Sequence, residues 1–256
     1  MFKMYWIIFF ILIALIGLYL LYSKKKYIFF EGRIITIDSE NQCYKLREFQ
    51  SSKFLGFDCE WLSNKKLSEG IPKKIAIMQI SNETVCFIIK LHKFKYIPKE
   101  LDTILASNKI YKFGVNIEGD VSRYEKEWDE KINCWIDIRH LSDEIFPNLP
   151  KKGLSSLSKT YTGYELKKNM KVICSNWENW ILSDEQELYA ATDAWVSVQI
   201  VNTMSIYTKS KYKKLSTWID KYKNIVYGKK NKSNKKNKVR SFEKLDNCEM
   251  YYLDKR

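Results

Sequence analysis

Two carboxylate residues, Asp58 and Glu60, stand one residue apart at the end of an apolar run with the pattern of a β-strand. Residues i and i+2 of a strand point to the same side of a sheet, so both carboxylates are aimed at one point. Oxygen ligands grouped in this way suit hard divalent cations such as Mg²⁺. A solvent-facing acidic pair has the same pattern, so these two residues alone leave the metal site open.

A third carboxylate, Asp120, follows the strand predicted over residues 110–115 and lies near the start of the next predicted helix. An aspartate in the first turn of a helix interacts favourably with the helix dipole. Asp120 is therefore either a ligand or a helix-stabilising residue.

A tyrosine and a fourth carboxylate, Tyr189 and Asp193, are four residues apart in a helix predicted from Asp184 to about Met204. Residues i and i+4 share one helix face, so the hydroxyl and the carboxylate project together. Small residues beside them, Ala190, Ala191 and Ala194, allow close packing against a neighbouring element. The alternative is an ordinary amphipathic helix with a tyrosine in the core.

The elements that must position these residues follow from the apolar periodicity. It predicts strands over 33–37, 53–61, 74–80, 85–90, 110–115 and 134–138, and helices over 38–51, 98–108 and 117–128. A linker is predicted over 24–30 and a polar loop over 63–73, and the chain is mostly helical from 140 to 209. Strands mixed with helices, followed by a helical half, indicate an α/β or α+β domain.

Composition favours a folded domain with a basic tail. The chain is 45% hydrophobic, and its net charge is +14. From Lys209 onward there are 16 Lys/Arg against 5 Asp/Glu, a balance of +11. Such a tail suits nucleic acid or an anionic membrane surface, although a solvated low-complexity segment has the same composition. No Cys-x-x-Cys pair occurs and only two histidines are present, so spacing does not support a zinc site.

The N-terminus has the features of a membrane anchor. Residues 4–23 contain no charged side chain, and about 20 apolar residues are needed for a helix to cross a bilayer. A signal peptide would have a shorter apolar core and a cleavage site, and a buried core helix would have a polar face. Lys24, Lys25 and Lys26 follow the run, so the positive-inside rule predicts a domain facing the cytosol. The endoplasmic reticulum and the mitochondrial outer membrane both suit such an anchor.

Together, the strand Asp-x-Glu, the later Asp120 and the helical Tyr-x-x-x-Asp resemble the DEDDy 3′→5′ exonuclease family. The likeness spans roughly residues 33–209 and is strongest at 56–61, 77–80 and 174–194, with a similar Gly-Leu-Ser segment at 153–155. It implies a ribonuclease-H-like α/β fold, a mixed sheet flanked by helices. The predicted organisation is an anchor at 4–23, an exonuclease domain at 31–209 and a basic tail at 210–256. The tail departs from the family pattern.

The resemblance implies roles for the five residues. Asp58, Glu60 and Asp193 would bind one divalent cation, Mg²⁺ or Mn²⁺, and Asp58 would bridge to a second. Asp120 would act mainly through water on the second cation, and Tyr189 would orient or help deprotonate the attacking water. The substrate would be the 3′ end of DNA or RNA, and the product a nucleoside 5′-monophosphate. The resemblance leaves a homodimer open.

Further side chains are candidates for substrate binding. Trp61 and Met78 could stack on or wedge beside the terminal base, because base–aromatic contacts tolerate any sequence, although both could equally be core residues. Lys112, Lys152 and Lys159 could contact phosphates, although single lysines are usually surface residues. The remaining substrate-binding candidates are Asn116, Ser175, Asn176 and Trp177. The last three could line the entry for the strand, although Trp177 could equally be a packing anchor.

Two other functions compete with catalysis. One is a membrane-tethered module that binds nucleic acid without cleaving it, and the other is a scaffold that uses the same fold as an interaction surface. Four carboxylates would repel phosphate unless a metal ion intervened, so the intact acidic set favours the enzyme.

Overall fold

Six strands form one mixed sheet in the computed structural model, which describes residues 11–13, 26–62 and 74–207. Their order across the sheet is β1-β4-β3-β2-β5-β6. The bounds are β1 Arg33–Ile37, β2 Phe54–Trp61, β3 Ile75–Ser81, β4 Val85–Ile89, β5 Tyr111–Gly114 and β6 Trp135–Asp137.

Strand direction brings the ends of several strands to one edge of the sheet. β1 pairs in parallel with β4, and β2, β5 and β6 form a second parallel group. Only β3 runs the other way, antiparallel to both β2 and β4. The carboxyl ends of the other five strands therefore share an edge. Glu60, the penultimate residue of β2, lies near this edge.

Six α-helices and two 3₁₀ segments surround the sheet in the described residues. The 3₁₀ segments are Glu40–Phe49 and Leu91–Lys93. The helices are α1 Lys99–Leu105, α2 Ile117–Trp128, α3 Ile138–Ile145, α4 Leu154–Thr162, α5 Met170–Ile173 and α6 Asp184–Tyr207.

Apolar side chains cover both faces of the sheet. The long 3₁₀ segment, α1 and α2 pack on one face, with Phe49, Leu101 and Tyr124 fully buried there. Helix α6 crosses the other face through its alanines. β3 and β4 lie between these layers and every one of their residues is buried. A strand covered on both sides is a continuous apolar run rather than an alternating one, which is what residues 75–78 and 85–89 show.

Helix α6 approaches β2 unusually closely at Gly56. A Cβ atom built at Gly56 would overlap the Ala194 carbonyl oxygen and lie 2.7 Å from the Ala194 carbonyl carbon. Glycine at 56 and alanine at 194 therefore let the helix backbone rest directly on the strand. This contact sets the distance between the residues of β2 and those of α6.

The predicted elements agree with the structure to within a few residues at their ends. The helix predicted over 38–51 forms as the 3₁₀ segment, and the helical half divides into α3 to α6. The linker predicted over 24–30 differs, because residues 26–30 are hydrogen-bonded to the domain.

Three predicted regions lie wholly or largely outside the described residues: the anchor at 4–23, of which only residues 11–13 are described and are helical, the loop at 63–73 and the tail at 210–256. Within the described residues, no helix combines the length and the apolar character that a bilayer crossing requires.

The prediction that Lys112 could contact phosphate is wrong, because its side chain is fully buried. Its ammonium donates to the carbonyl oxygens of Ile104 at 3.1 Å, Leu105 at 2.9 Å and Ile110 at 2.9 Å. Two of these carbonyls belong to the last turn of α1, where helix carbonyls lack partners within the helix. Lys112 therefore caps α1 from strand β5. The other two lysines pair with acidic residues, Lys152 with Asp143 and Lys159 with Glu165.

Replacing Lys112 with methionine is expected to lower the free energy of unfolding by about 2–3 kcal/mol, because buried carbonyls lose a charged donor. Chemical denaturation would measure the change. Lys109→Met is the matched control, since Lys109 is exposed in the same segment. Equal stability of the two variants would contradict the capping role.

Candidate active site

Three carboxylates from two elements converge where α6 crosses β2. Oxygens of Asp58, Glu60 and Asp193 all lie within 4.8 Å of one another, and we call these residues the carboxylate cluster. Asp58 and Glu60 are half-buried on the face of β2 that α6 covers, and Asp193 is 9% exposed. The structure therefore brings together three of the four predicted ligands.

The chemistry of the cluster suits a divalent cation. Three like charges this close are unfavourable in a half-buried site unless a positive charge offsets them. All the donors are carboxylate oxygens, without a histidine or a cysteine, which is the ligand set that Mg²⁺ or Mn²⁺ prefers. The residues present thus fit a hard divalent cation and give no reason to expect zinc.

Tyr189 lies one turn before Asp193 on α6, and its hydroxyl hydrogen-bonds the Asp193 carboxylate. Burial raises the pKa of this hydroxyl, and the negative charges of the carboxylate cluster raise it further, well above the usual value of 10.0. The hydroxyl is therefore protonated at neutral pH. It can orient a water molecule through hydrogen bonds, but it is not itself a base there.

The ring of Tyr189 is held by Trp177. The two ring centroids are 6.1 Å apart, and Trp177 is fully buried with its indole N–H donating to the Ile173 carbonyl at 3.1 Å. Trp177 therefore supports the tyrosine from behind and cannot line the strand entry as predicted.

Asp120, the remaining predicted ligand, lies in the first turn of α2 and is 1% exposed. The structure does not bring it into the carboxylate cluster. Asp120 interacts electrostatically with the guanidinium of Arg139 instead. Its role as a ligand stays a prediction.

Arg139 lies just after β6, at the edge of the sheet where the carboxyl ends of five strands meet. It was not among the site residues predicted from the sequence. Its guanidinium donates to both oxygens of Asp137, at 2.6–3.1 Å, and to Oδ1 of Asn116 at 2.9 Å. Asn116 precedes α2 in the left-handed region, with φ of 62°. Arg139 thus ties the end of β6 to the start of the helix that carries Asp120. The Asp-x-Arg pattern at the end of a strand is the only local signal for it.

Two predicted base-stacking residues prove to be structural. Met78 is fully buried in β3, paired with Cys59, so its side chain cannot reach a base at the surface. Trp61 is 9% exposed, and the Arg123 guanidinium covers its ring at 4.3 Å from the centroid. Both residues fit the core reading that the sequence left open.

The predicted entry residues Ser175 and Asn176 shape a loop in front of α6. Gln186 donates from Nε2 to Ser175 Oγ at 2.7 Å and to the Asn176 carbonyl at 3.1 Å. Asn176 Oδ1 accepts from the backbone N–H of Glu178 at 3.0 Å. These contacts give both residues a clear structural role, and substrate contact by either one stays a prediction.

Gln79 is a polar residue beside the cluster that the sequence reasoning did not consider as a site residue. It lies directly opposite Asp58 in the β2–β3 pair, so both side chains are on the same face of the sheet. The side chain is fully buried, and neither amide atom has a hydrogen-bond partner in the described structure. A buried amide without partners is unusual, and here it borders a cluster of carboxylates.

The fold and the cluster together define the class of protein. A mixed sheet crossed by one long helix, with strand and helix carboxylates converging, is the arrangement of the ribonuclease-H-like fold. Solved structures share this fold: the Nibbler EXO domain of Aedes aegypti has a TM-score of 0.64 at 17% identity, covering 77% of this chain and 98% of that one. Escherichia coli RNase D has a TM-score of 0.58 at 20% identity, and the match covers 70% of this chain and 46% of that one.

Sequence comparison identifies the family. The profile of the 3′-5′ exonuclease family matches residues 34–207, and the chain belongs to this family. Exonuclease 3′-5′ domain-containing protein 2 of Drosophila melanogaster is 33% identical over 152 residues, 59% of this chain and 25% of that protein. The mouse bifunctional 3′-5′ exonuclease/ATP-dependent helicase WRN is 30% identical over 177 residues, which are 67% of this chain and 12% of that protein. The match thus spans only a quarter or less of these relatives.

Proposed function

We propose that this chain is a divalent-metal-dependent 3′→5′ exonuclease that hydrolyses the terminal phosphodiester of DNA or RNA and releases nucleoside 5′-monophosphates. The observation that carries the proposal is the carboxylate cluster, three acidic side chains within 4.8 Å that share a site with Tyr189. Membership of the 3′-5′ exonuclease family supports hydrolysis of a 3′-terminal phosphodiester as the reaction at this cluster.

Each residue of the cluster has a defined task in this proposal. Asp58, Glu60 and Asp193 would hold one Mg²⁺ or Mn²⁺ ion, Asp58 would also bind a second, and Asp120 would act on the second mainly through water, as the family resemblance implies. The cations would neutralise the negative charge that accumulates on the attacking and leaving oxygens of the phosphodiester. The close contact between Gly56 and Ala194 brings the carboxylates of β2 and α6 together, which supports this assignment.

Tyr189 positions the attacking water in this proposal, since its protonated hydroxyl can donate one hydrogen bond and accept another. Tyr189→Phe is expected to lower kcat about 10²-fold, the lower range for groups that assist proton transfer. Binding of Mn²⁺ should be retained because the carboxylates remain. Steady-state hydrolysis and calorimetric Mn²⁺ titration would measure the two properties.

The control for this variant is Tyr164→Phe, because Tyr164 is exposed and distant in sequence from the cluster. Full activity of Tyr189→Phe would show that the tyrosine only packs against Trp177.

The experiment that tests the function uses single-stranded and 3′-recessed DNA and RNA labelled at the 5′ end. The purified chain is incubated with Mg²⁺, Mn²⁺ or EDTA beside an Asp58→Ala/Glu60→Ala variant. A ladder that shortens from the 3′ end only with metal, and only with the unaltered chain, would support the proposal, and the preferred strand would identify the substrate. A folded chain that binds these strands without shortening them would instead support a binding module.

The location of the enzyme is a separate proposal. We propose that residues 4–23 anchor the chain in a membrane with the exonuclease domain in the cytosol, supported by the uncharged run and the three lysines after it. The chain should resist carbonate extraction and remain open to protease added to intact organelles. Release by carbonate would overturn the anchor, and protection from protease would overturn the orientation.

A further inference from the structure

Residues 26–30, which we call the N-terminal strap, lie before the region that the family profile matches, 34–207. The strap pairs in parallel with residue 165: Ile28 N–H donates to the Glu165 carbonyl at 3.1 Å, and Glu165 N–H donates to the Lys26 carbonyl at 2.9 Å. A segment outside the family region is therefore bound to the domain through backbone hydrogen bonds.

The far end of the strap is fixed to α6. Phe30 N–H donates to Thr192 Oγ1 at 3.1 Å in a buried contact, one residue before Asp193. The Phe30 side chain is 4% exposed, and its ring centroid lies 5.8 Å from that of Trp195. These contacts hold the strap against the helix that supplies Asp193 and Tyr189.

A cleft of about 280 Å³ lies between the strap and α6. Ile28 and Phe29 form one wall, Leu166 and Lys167 contribute to another, and Tyr189 and Asp193 of the candidate active site line it as well. The cleft therefore reaches one member of the carboxylate cluster, Asp193, and the tyrosine beside it. Most of its lining is apolar, and its charged lining residues are Lys167, Glu185 and Asp193.

We infer that the strap wall binds the base and sugar of the 3′-terminal nucleotide, which makes Phe29 a residue that determines substrate affinity. The inference rests on the proposed function and identifies a part of the binding site outside the matched family region. A nucleotide whose phosphate reaches the cluster must place its nucleoside nearby, and this cleft is lined by Asp193 of the cluster and by Tyr189. Phe29 is 40% exposed, so its ring is available for stacking.

Phe29→Ala is expected to raise KM for a single-stranded oligonucleotide about tenfold, the loss typical of one base–aromatic contact, with kcat unchanged. Phe29→Trp should restore the original KM, whereas Phe29→Leu should not, because stacking needs an aromatic ring. The matched control is Tyr27→Ala in the full chain, since Tyr27 is an aromatic residue of the same strap, 42% exposed, that does not line the cleft.

A direct binding measurement separates this inference from the proposed function. Calorimetry with adenosine 5′-monophosphate and Mn²⁺ does not require turnover, and Phe29→Ala should bind the nucleotide about tenfold more weakly than Tyr27→Ala does. If the chain hydrolyses nothing yet shows this difference, the exonuclease proposal fails and the cleft assignment stands. Equal affinities and equal KM values for the two variants, or rescue by Phe29→Leu, would overturn the assignment whether or not the chain is active.

Discussion

Asp193→Asn is expected to lower kcat at least about 10³-fold, because metal ions supply several kcal/mol of transition-state stabilisation and each 1.36 kcal/mol is tenfold in rate. The variant loses the charge of one of the three clustered carboxylates while keeping the size of the side chain. Single-turnover hydrolysis in Mg²⁺ and Mn²⁺ would measure the loss.

The same substitution should have the opposite effect on stability. Asp193 is nearly buried beside two other carboxylates, so removing its charge relieves repulsion and should raise the free energy of unfolding by about 1 kcal/mol in EDTA. Adding Mn²⁺ should stabilise the original chain more than the variant, since ligand binding to the folded state raises stability by mass action. Retained activity, or lower stability in EDTA, would show that these carboxylates do not form a metal site.

Gly56→Ala is expected to disable the enzyme without touching any ligand. The new methyl group would overlap the Ala194 carbonyl and lie 3.2 Å from Val198 Cγ2, and a helix backbone cannot move aside as a flexible side chain can. We expect the free energy of unfolding to fall by about 3 kcal/mol, the upper part of the usual range for overpacking.

Catalysis should suffer beyond the loss of stability. Ala194 follows Asp193 directly, so a shift of α6 moves this carboxylate away from Asp58, and a displacement of about 1 Å can cost 10²-fold in rate. Assays well below the melting temperature separate the two effects. Gly153→Ala is the control, because a Cβ atom there meets nothing within 4 Å. A Gly56→Ala chain as active and as stable as Gly153→Ala would refute the close packing of α6 on β2.

The carboxylate cluster could be predicted from the sequence because two short-range periodicities determine it. Asp58 and Glu60 share a strand face, and Tyr189 and Asp193 share a helix face, whatever the rest of the chain does. The likeness to a known family then placed the two pairs together, and the structure agrees. The strands followed in the same way, since uninterrupted apolar runs such as 85–89 are typical of a sheet covered on both faces.

What could not be predicted depends on contacts between distant residues. In the sequence, Lys112 looks like any other lysine in a strand. Only the position of α1 in the folded protein shows that its ammonium caps helix carbonyls. The strap was predicted as a linker because its partners, Glu165 and Thr192, lie far along the chain. Met78 and Trp177 have side chains suited to stacking on a base, but their burial follows from packing that residue type does not reveal.

The contact between the strap and α6 also determines when the active site can exist during synthesis. Phe30 and Thr192 are separated by 162 positions. The same helix carries Asp193, so Asp58 and Glu60 of β2 cannot form the carboxylate cluster before α6 has been synthesised. At about 5–20 residues per second, a ribosome needs roughly 10–30 s to make the intervening chain. The carboxylate cluster therefore cannot assemble on the nascent polypeptide until α6 has been made and has left the ribosome, and before that point the chain carries only Asp58 and Glu60 of the three.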